Sequence, residues 1–600
     1  MADYNAPVLD MRFTLDHVVK LDEITALPGF EDSTPDMVQA VLEEAAKLAS
    51  NVLAPLNAPG DKAHTKMVSE GVVETPEGFK EAYAEYRDGG WNAVPFDPEY
   101  GGQGLPWAVA FAVQEMWHSS NMAFALCPML NQGAVELLHS HGSEAQKKTF
   151  LEKLISGHWS GTMNLTEPSA GSDLSAVRAT AAPAPELGEG AYRVKGQKIF
   201  ITWGEHDMVD NIVHMTLARL PGAPEGIKGI SLFIVPKFLV NEDGSLGERN
   251  DIKCVSLEEK LGINASPTCT MLFGDEGEGA VGYLVGAENQ GIRCMFTMMN
   301  NARLAVGLEG MSIGARAYDQ ALLFSQDRVQ SKSLANPKGE PARIIEHPDV
   351  RRMLLTMKAK TEAARSLAYY AAKHLDVANN HADATTKAQA QAIVDLLTPV
   401  VKGWGTDVGC EVTSLGIQVH GGMGYVEETG AAQHFRDARI APIYEGTNGI
   451  QANDLVFRKT VRDSGAALKV FVQDARATSS ALESSKDASL MRIHQRLSEG
   501  LDALEEAATW IVAHGKDALA VAAGAYDYMT LFGIVAGGVM MAKAALAAHG
   551  NPAGYSTKFC EGKIATARFY AEHVLPQARG LVLPITEGDT SVNGFSEDLF

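Results

Sequence analysis

Three short segments carry the side chains that could do chemistry, and each lies where a secondary-structure element must end or turn. In Arg436-Asp437-Ala438-Arg439-Ile440-Ala441-Pro442-Ile443-Tyr444-Glu445-Gly446-Thr447-Asn448-Gly449-Ile450-Gln451, the carboxylate of Glu445 sits between an apolar stretch and a glycine-containing turn leading toward a new helix. Apolar surroundings raise a carboxyl pKa by desolvation and make it a better base; a solvated loop glutamate would have the same letters. The segment from Met163 to Asp173 joins small residues and Gly171, which permit close backbone approach, to the hydroxyls of Thr166 and Ser172. Such a loop suits the edge of a heteroaromatic ring or a carbonyl, and equally a polar turn between helix and strand. From Gly416 to Tyr425, Gly421, Gly422 and Gly424 follow Gln418, a side chain able to read an amide or a phosphate ester. Glycine also caps helix C-termini for purely conformational reasons.

The elements that must position these segments change character along the chain. Up to about residue 157 the texture is helical, with apolar residues at three- and four-residue spacing from Met37 to Leu53 and again from Trp107 to Ser119. From 158 to 286, runs such as Tyr192–Thr202, Asn211–Leu220, Ile230–Lys237 and Thr268–Phe273 are separated by Gly, Pro, Asn and Asp turns, which predicts antiparallel β structure. Helical texture returns over 287–460, where Leu396, Leu397, Val400, Trp404, Val408, Val412 and Leu415 form one long apolar face interrupted by Pro399. A further helical region spans 461–600, with helices from Ala466 to the mid-570s and a polar tail from Glu587. The fold class is therefore α+β: an N-terminal helical domain, a central antiparallel β domain, a helical bundle and an additional C-terminal helical domain.

Composition narrows the function classes. A chain of 600 residues exceeds one ordinary core and implies several domains. A net charge of −23 argues against non-specific nucleic-acid binding, so an anionic ligand must find local positive charge. The six cysteines form no CxxC pair, which offers neither a zinc site nor a disulfide framework and fits a reducing compartment. The first residues lack the basic start and apolar stretch of a signal peptide. The most apolar run, Leu531 to Ala542, falls short of the roughly 20 residues a bilayer needs. The expectation is a cytoplasmic protein with no metal, no membrane and no nucleic-acid partner.

Taken together, the motifs TEPSAGSD, QVHGGMGY and IYEGTNGIQ resemble, in order and separation, those of the acyl-CoA dehydrogenase family, over about residues 80 to 460. That resemblance implies FAD as cofactor, an acyl-CoA substrate and removal of two hydrogens across its Cα–Cβ bond, with Glu445 as the base. It further implies that Met163, Leu165, Thr166, Gly171 and Ser172 contact the flavin ring and that Phe200 and Thr202 belong to the strand packing on it. Arg328, Gln418, Gly421 and Gly422 resemble the residues that reach the flavin diphosphate of the neighbouring subunit, and Thr447 and Gly449 follow the base toward the cofactor. Ser172, Arg303 and Tyr444 join Glu445 as substrate residues. Some family members carry their base immediately before the arginine equivalent to Arg303; here those positions are Asn301 and Ala302, which leaves Glu445 as the one carboxylate in a base position.

Two departures from the short family pattern are an insertion after Arg328, around Pro337 and Gly339, and the whole region 461–600. Both resemble a bacterial subgroup acting on 3-methylmercaptopropionyl-CoA and on ordinary short to medium acyl-CoAs, with an electron-transfer flavoprotein as acceptor. The extra region would cover a surface that short tetrameric relatives use for a second dimer contact, so a homodimer is expected. Competing readings are a general acyl-CoA dehydrogenase of fatty-acid oxidation and an acyl-CoA oxidase. A DNA-associated relative of the family is disfavoured by the mixed charges of residues 461–600.

Overall fold

The computed structural model describes residues 4–188 and 190–600. Met1 to Asp3, the start of the expected N-terminal domain and of the segment read as lacking a signal peptide, lie outside the described residues, as does Glu189. The chain forms two compact units: Lys47–Leu105 with Ser120–Ala302, and residues 4–46 with Pro106–Ser119 and Arg303–Phe600.

The first unit is built on an eight-stranded sheet of β1 (Trp159–Asn164), β2 (Thr180–Pro183), β3 (Ala191–Thr202), β4 (Asn211–Arg219), β5 (Ile230–Pro236), β6 (Ile252–Leu257), β7 (Thr268–Phe273) and β8 (Ala280–Val285). The strand order is β6-β7-β3-β8-β5-β4-β1, with β2 against β3 and β4. Most pairings are antiparallel, as the turn-rich sequence predicts. The β1–β4 pair, however, is parallel from Trp159↔Asn211 to Asn164↔Thr216, because the chain makes a long excursion through β2 and β3 before returning. Val194, Phe233, Val235, Met271 and Phe273 make the core on one face. On the other, the Met122–His141 helix comes so close to β1 that a Cβ on Gly161 would lie 2.3 Å from that of Ala134. A small hairpin, Lys66–Ser69 with Val72–Glu74, interrupts the part of the chain read as helical.

The turn after β1 is fixed from beneath. Glu167 and Ala170 exchange both backbone hydrogen bonds (3.0 and 2.9 Å), which closes the corner at Pro168 and Ser169. The buried Glu167 carboxylate accepts from the Arg178 and Ala179 N–H groups (2.6 and 3.0 Å) and from Lys198 Nζ at 2.8 Å. Lys198 also donates to the Leu165 carbonyl. Burial pushes the Lys198 ammonium down to about 8, with Glu167 opposing the fall.

The second unit is helical. Its main members are α1 (Gly291–Asp327, from Arg303 onward), α2 (Pro348–Asn380), α3 (Ala384–His420), α4 (Asn448–Asn453), α5 (Ala525–His549) and α6 (Thr557–His573). α1 and α3 run side by side in the same direction, their backbones meeting at glycines. A Cβ on Gly409 would lie 2.1 Å from the Gly310 carbonyl oxygen, and one on Gly307 2.5 Å from that of Val401, so no larger residue fits this crossing. Helices continue to Asn593, past the mid-570s where the sequence pattern fades.

α5 corrects the reading of Leu531–Ala542 as too short to span a bilayer: the helix has 25 residues with mean hydropathy 1.8 over its most apolar stretch, enough by length and composition. Most of that stretch is buried among the protein's own helices, with Trp404 seated against Gly533 and Gly537.

A buried ion network ties the N-terminal segment to both ends of this unit. The Arg365 guanidinium on α2 pairs with Glu115 (2.6 Å) and with Asp10 (2.7 Å), while Tyr369 donates to Glu115 at 2.7 Å. Asp10 also pairs with Lys563 on α6, which pairs in turn with Glu362 at 3.0 Å. Burial raises the Asp10 carboxyl, but Lys563 and Arg365 more than offset it and hold the group well below its usual value.

Removing one member of a buried ion pair typically costs about 3–5 kcal/mol. Glu167→Gln should therefore lower the melting temperature by several degrees, checked by thermal melts. For Asp10 the depressed pKa means its stabilisation is complete above the unfolded carboxyl value of about 4 and fades as pH falls below it. Asp10→Asn should thus be less stable than the parent at pH 7, and the gap between the two melting temperatures should narrow from pH 4 downward.

Candidate functional site

Glu445 stands on a loop that Asn448 closes. The Asn448 N–H donates to the Pro442 carbonyl at 3.0 Å, and the Thr447 hydroxyl caps α4 by accepting from the Ile450 N–H at 3.3 Å. The Gln451 side-chain amide donates to the carbonyls of Glu445 and Gly446, both at 3.3 Å. Glu445 has φ +55° and Gly446 φ +81°, two consecutive left-handed residues. For a glutamate that conformation costs about 1–3 kcal/mol, and it persists because the flanking bonds determine it. Gly449 is exposed on the first turn of α4.

Two cations and a second carboxyl lie close to Glu445. Burial pushes the partly buried Glu445 carboxyl up to about 7, while Arg303 on α1 and Lys402 on α3 pull it back. Both cations are buried, and burial lowers both: Arg303 below its usual value, Lys402 to about 8. Lys402 Nζ donates to Asn448 Oδ1 at 2.9 Å, so the same asparagine that closes the loop also places this cation. The hydroxyl of Tyr444 donates to Glu309, a fully buried carboxyl on α1 whose other oxygen has no hydrogen-bond partner among the described residues. Burial pushes Glu309 up to about 8 against the opposing pull of Tyr444 and Lys402. A carboxyl that ionises near neutrality, held beside two cations in a poorly hydrated setting, can take a proton from a weak carbon acid.

The structure brings Arg303, Tyr444, Glu445, Thr447 and Gly449 into one neighbourhood. It places Arg328, Gln418, Gly421 and Gly422 elsewhere in the same unit, at the C-terminal ends of α1 and α3, where the rings of Phe324 and His420 stack at 4.4 Å. Arg328 is exposed and begins the Val329–Lys332/Pro341–Arg343 hairpin, which is the insertion seen in the sequence. Gly421 has φ +61°, and a Cβ on it or on Gly422 would meet nothing within 4 Å, so this backbone is open to a ligand. The 25 residues of helix from Arg303 to Arg328 span about 37 Å at 1.5 Å per residue.

In the sheet unit, Met163 and Thr166 are partly buried, Leu165 is buried, and Gly171 and Ser172 are exposed on the anchored turn. The Thr166 carbonyl accepts from the Ile199 N–H at 2.9 Å. β3 bulges against β7 here, since Lys198 pairs with Met271 but Ile201 with Cys269. At the bulge Phe200 has φ +58° and its ring is 58% exposed, a strained, outward-facing aromatic. Thr202 resumes the ladder opposite Thr268.

Sequence reasoning missed Lys402, Glu309, Asn448, Glu167 and Lys198. The available signals were a lysine amid the apolar face Leu396–Val412 and a glutamate inside the apolar run from Ala305 to Ile313, both odd enough to suggest buried partners. Glu167 and Lys198 had no such signal, because their pairing depends on β3 returning beneath the turn.

Comparison with known proteins identifies the family. Family models match in sequence order: acyl-CoA dehydrogenase N-terminal domain at 35–158, middle domain at 162–275, C-terminal domain at 289–458, and an acetyl-CoA dehydrogenase C-terminal-like region at 466–596. The chain is 46% identical to 3-methylmercaptopropionyl-CoA dehydrogenase of Ruegeria pomeroyi, over 98% of this chain and 99% of that one. It is 34% identical to a broad-specificity linear acyl-CoA dehydrogenase of Mycobacterium tuberculosis, over 96% of each. Among solved structures, butyryl-CoA dehydrogenase of Megasphaera elsdenii matches with TM-score 0.56 and 27% identity, covering 70% of this chain and 97% of that one. With a strained, desolvated glutamate between two cations and near full-length similarity to such enzymes, the chain belongs to the acyl-CoA dehydrogenase family of FAD-dependent oxidoreductases.

Proposed function

We propose that this enzyme converts 3-methylmercaptopropionyl-CoA to 3-methylthioacryloyl-CoA, with Glu445 as the catalytic base. The observation that carries the base assignment is the Glu445 carboxyl itself, strained at φ +55° and raised to about 7 beside Arg303 and Lys402. The thioester α-C–H is a weak acid, and its deprotonation leaves an enolate oxygen that needs hydrogen-bond donors. Glu445 takes the α proton, and its own backbone N–H is the donor from this chain to the thioester oxygen. Arg303 keeps the ionised base in reach of neutrality. Ser172 and Tyr444 complete the substrate residues of this reading. The substrate choice rests on the 46% identity to the Ruegeria enzyme, against 34% for the broad-specificity relative.

The residues present fit FAD. The exposed Phe200 ring at the β3 bulge suits a flavin face, and the open backbone at Gly421 and Gly422 suits a phosphate or ribose. Met163, Leu165, Thr166, Gly171, Ser172, Phe200 and Thr202 would hold the flavin, with Thr447 and Gly449 on the loop that carries the base. When bound, FAD supplies the two-electron acceptor for the hydrogen lost from Cβ. Arg328, Gln418, Gly421 and Gly422 would hold a second FAD: the helix between Arg303 and Arg328 is longer than the reach of one extended dinucleotide. That separation supports a homodimer in which each subunit completes its partner's cofactor site. We further assign electron-transfer flavoprotein as the acceptor and a cytoplasmic setting; the burial of α5 supports a soluble protein. The four-part division at 1–157, 158–286, 287–460 and 461–600 is the domain reading we adopt; the family models fall within it to a residue or two.

Anaerobic bleaching of the flavin band by 3-methylmercaptopropionyl-CoA, butyryl-CoA and octanoyl-CoA tests the substrate. Fastest reduction by the methylthio ester is expected; equal or faster bleaching by the plain chains would leave a general acyl-CoA dehydrogenase, and peroxide release in air would indicate an oxidase. Glu445→Gln should keep its FAD and lose about 10²–10⁴-fold in reduction rate, the usual range for a lost general base. Since only the ionised base works and Glu445 is raised to about 7, the stopped-flow reduction rate should climb as pH rises through about 7 and level off above it. A flat profile from pH 6 to 9 would sink the assignment.

A further inference from the structure

The region 461–600 has no part in the chemistry described so far, yet one of its helices reaches the turn of α3 that places the base. Three contacts converge there. The Tyr526 hydroxyl, at the start of α5, donates to Asp407 Oδ2 at 2.7 Å. Met529, one turn on, lies against Gly403 so closely that a Cβ there would stand 2.2 Å from its sulfur. Next along the helix, Gly533 accepts the Trp404 indole, with a would-be Cβ 2.2 Å from Trp404 Cγ. On its other side, the same turn of α3 holds Asn448. The Asn448 amide donates to Asp407 Oδ1 at 2.9 Å and to the Gly403 carbonyl at 3.0 Å, while its oxygen accepts from Lys402.

We infer that the C-terminal helical region is part of the catalytic scaffold, with Tyr526 and Asp407 as positioning residues that act on Glu445 through Asn448 and Lys402. This rests on Glu445 being the base. The physical chain has few links. Asp407 fixes the rotamer of Asn448, whose N–H closes the loop onto Pro442 and whose side-chain oxygen fixes Lys402. Lys402 and Arg303 are the two cations facing the base, and Glu309 and Tyr444 are the other titratable groups packed against it. Burial raises Asp407, and the Tyr526 hydroxyl is the first group to oppose that rise. Loss of the hydroxyl favours neutral Asp407. Lys402 then loses an anion that helps keep it protonated, and Glu445 loses part of the positive field that keeps it ionised near neutrality.

The test compares Tyr526→Phe and Asp407→Asn with the parent holoenzyme, following anaerobic flavin reduction by a saturating acyl-CoA across pH 6 to 9. Removing a hydrogen bond to a charged group is worth about tenfold when buried, and less for the half-exposed Tyr526. Asp407→Asn should lower the reduction rate at pH 7 by about tenfold and Tyr526→Phe by about threefold. In both, the ionisation governing reduction should move to higher pH, with KM and FAD content unchanged. Profiles that overlay the parent's overturn the inference, as does a loss of rate that tracks loss of FAD or of melting temperature without a shift in the profile. If Asp407→Asn does not fold, Tyr526→Phe decides alone. Glu445→Gln in the same series separates the two ideas: full activity there removes the base assignment itself, whereas an inactive Glu445→Gln beside an unaltered Tyr526→Phe removes only the role given to the C-terminal region.

Discussion

Keeping a carboxylate away from water while leaving it able to ionise is the constraint around which the helical unit is organised. Fully desolvated, Glu445 would stay protonated and could not act as a base; fully hydrated, it would be a weak one. The protein holds it between these limits with Arg303 and Lys402, both themselves buried and both lowered by that burial. Each cation comes from a different long helix. Their placement therefore requires α1 and α3 to lie in backbone contact, which the glycines at 307, 310 and 409 allow. The strain at Glu445 belongs to the same arrangement: a left-handed glutamate aims its side chain where an ordinary loop residue would not, and Asn448 and Gln451 supply the bonds that keep it there.

Buried charges held by opposite charges recur at two other places. Beneath the turn after β1, Glu167 is satisfied by two backbone N–H groups and by Lys198, so the exposed Gly171 and Ser172 stand on a rigid base. At the N-terminal segment, Asp10, Glu115, Arg365, Lys563 and Glu362, with Lys358 also on Glu362, form a network that joins the start of the chain to α2 and α6. Such networks favour one arrangement over its near neighbours, since any slip leaves an unpaired charge in a poorly hydrated interior. Function is thus protected by making wrong packings expensive.

Much of this was legible in the letters. The helix, sheet, helix order follows from hydrophobic period, and the strands Tyr192–Thr202, Asn211–Leu220 and Thr268–Phe273 fall within a residue or so of their observed ends. Glu445 became the candidate base because the surrounding motif resembles a known family; its local letters alone fit a solvated loop glutamate equally well. Local rules failed where length or register was set by distant parts. α5 runs to 25 residues, beyond its most apolar core, and β1 pairs in parallel because of where β4 returns.

What the sequence determined by itself is the order of elements, the presence of a flavoenzyme's motifs and the position of the candidate base. These are local properties, carried by spacing and residue type within a dozen positions. What only the tertiary structure decided is which distant groups share Glu445's surroundings, Arg303 from α1 and Lys402 from α3, and that Lys402 is linked through Asn448 to Asp407 and Tyr526. Charge–charge and desolvation effects depend on distance and burial in space. Residues 303, 402 and 445 acquire a common electrostatic fate only once the helices that carry them have packed.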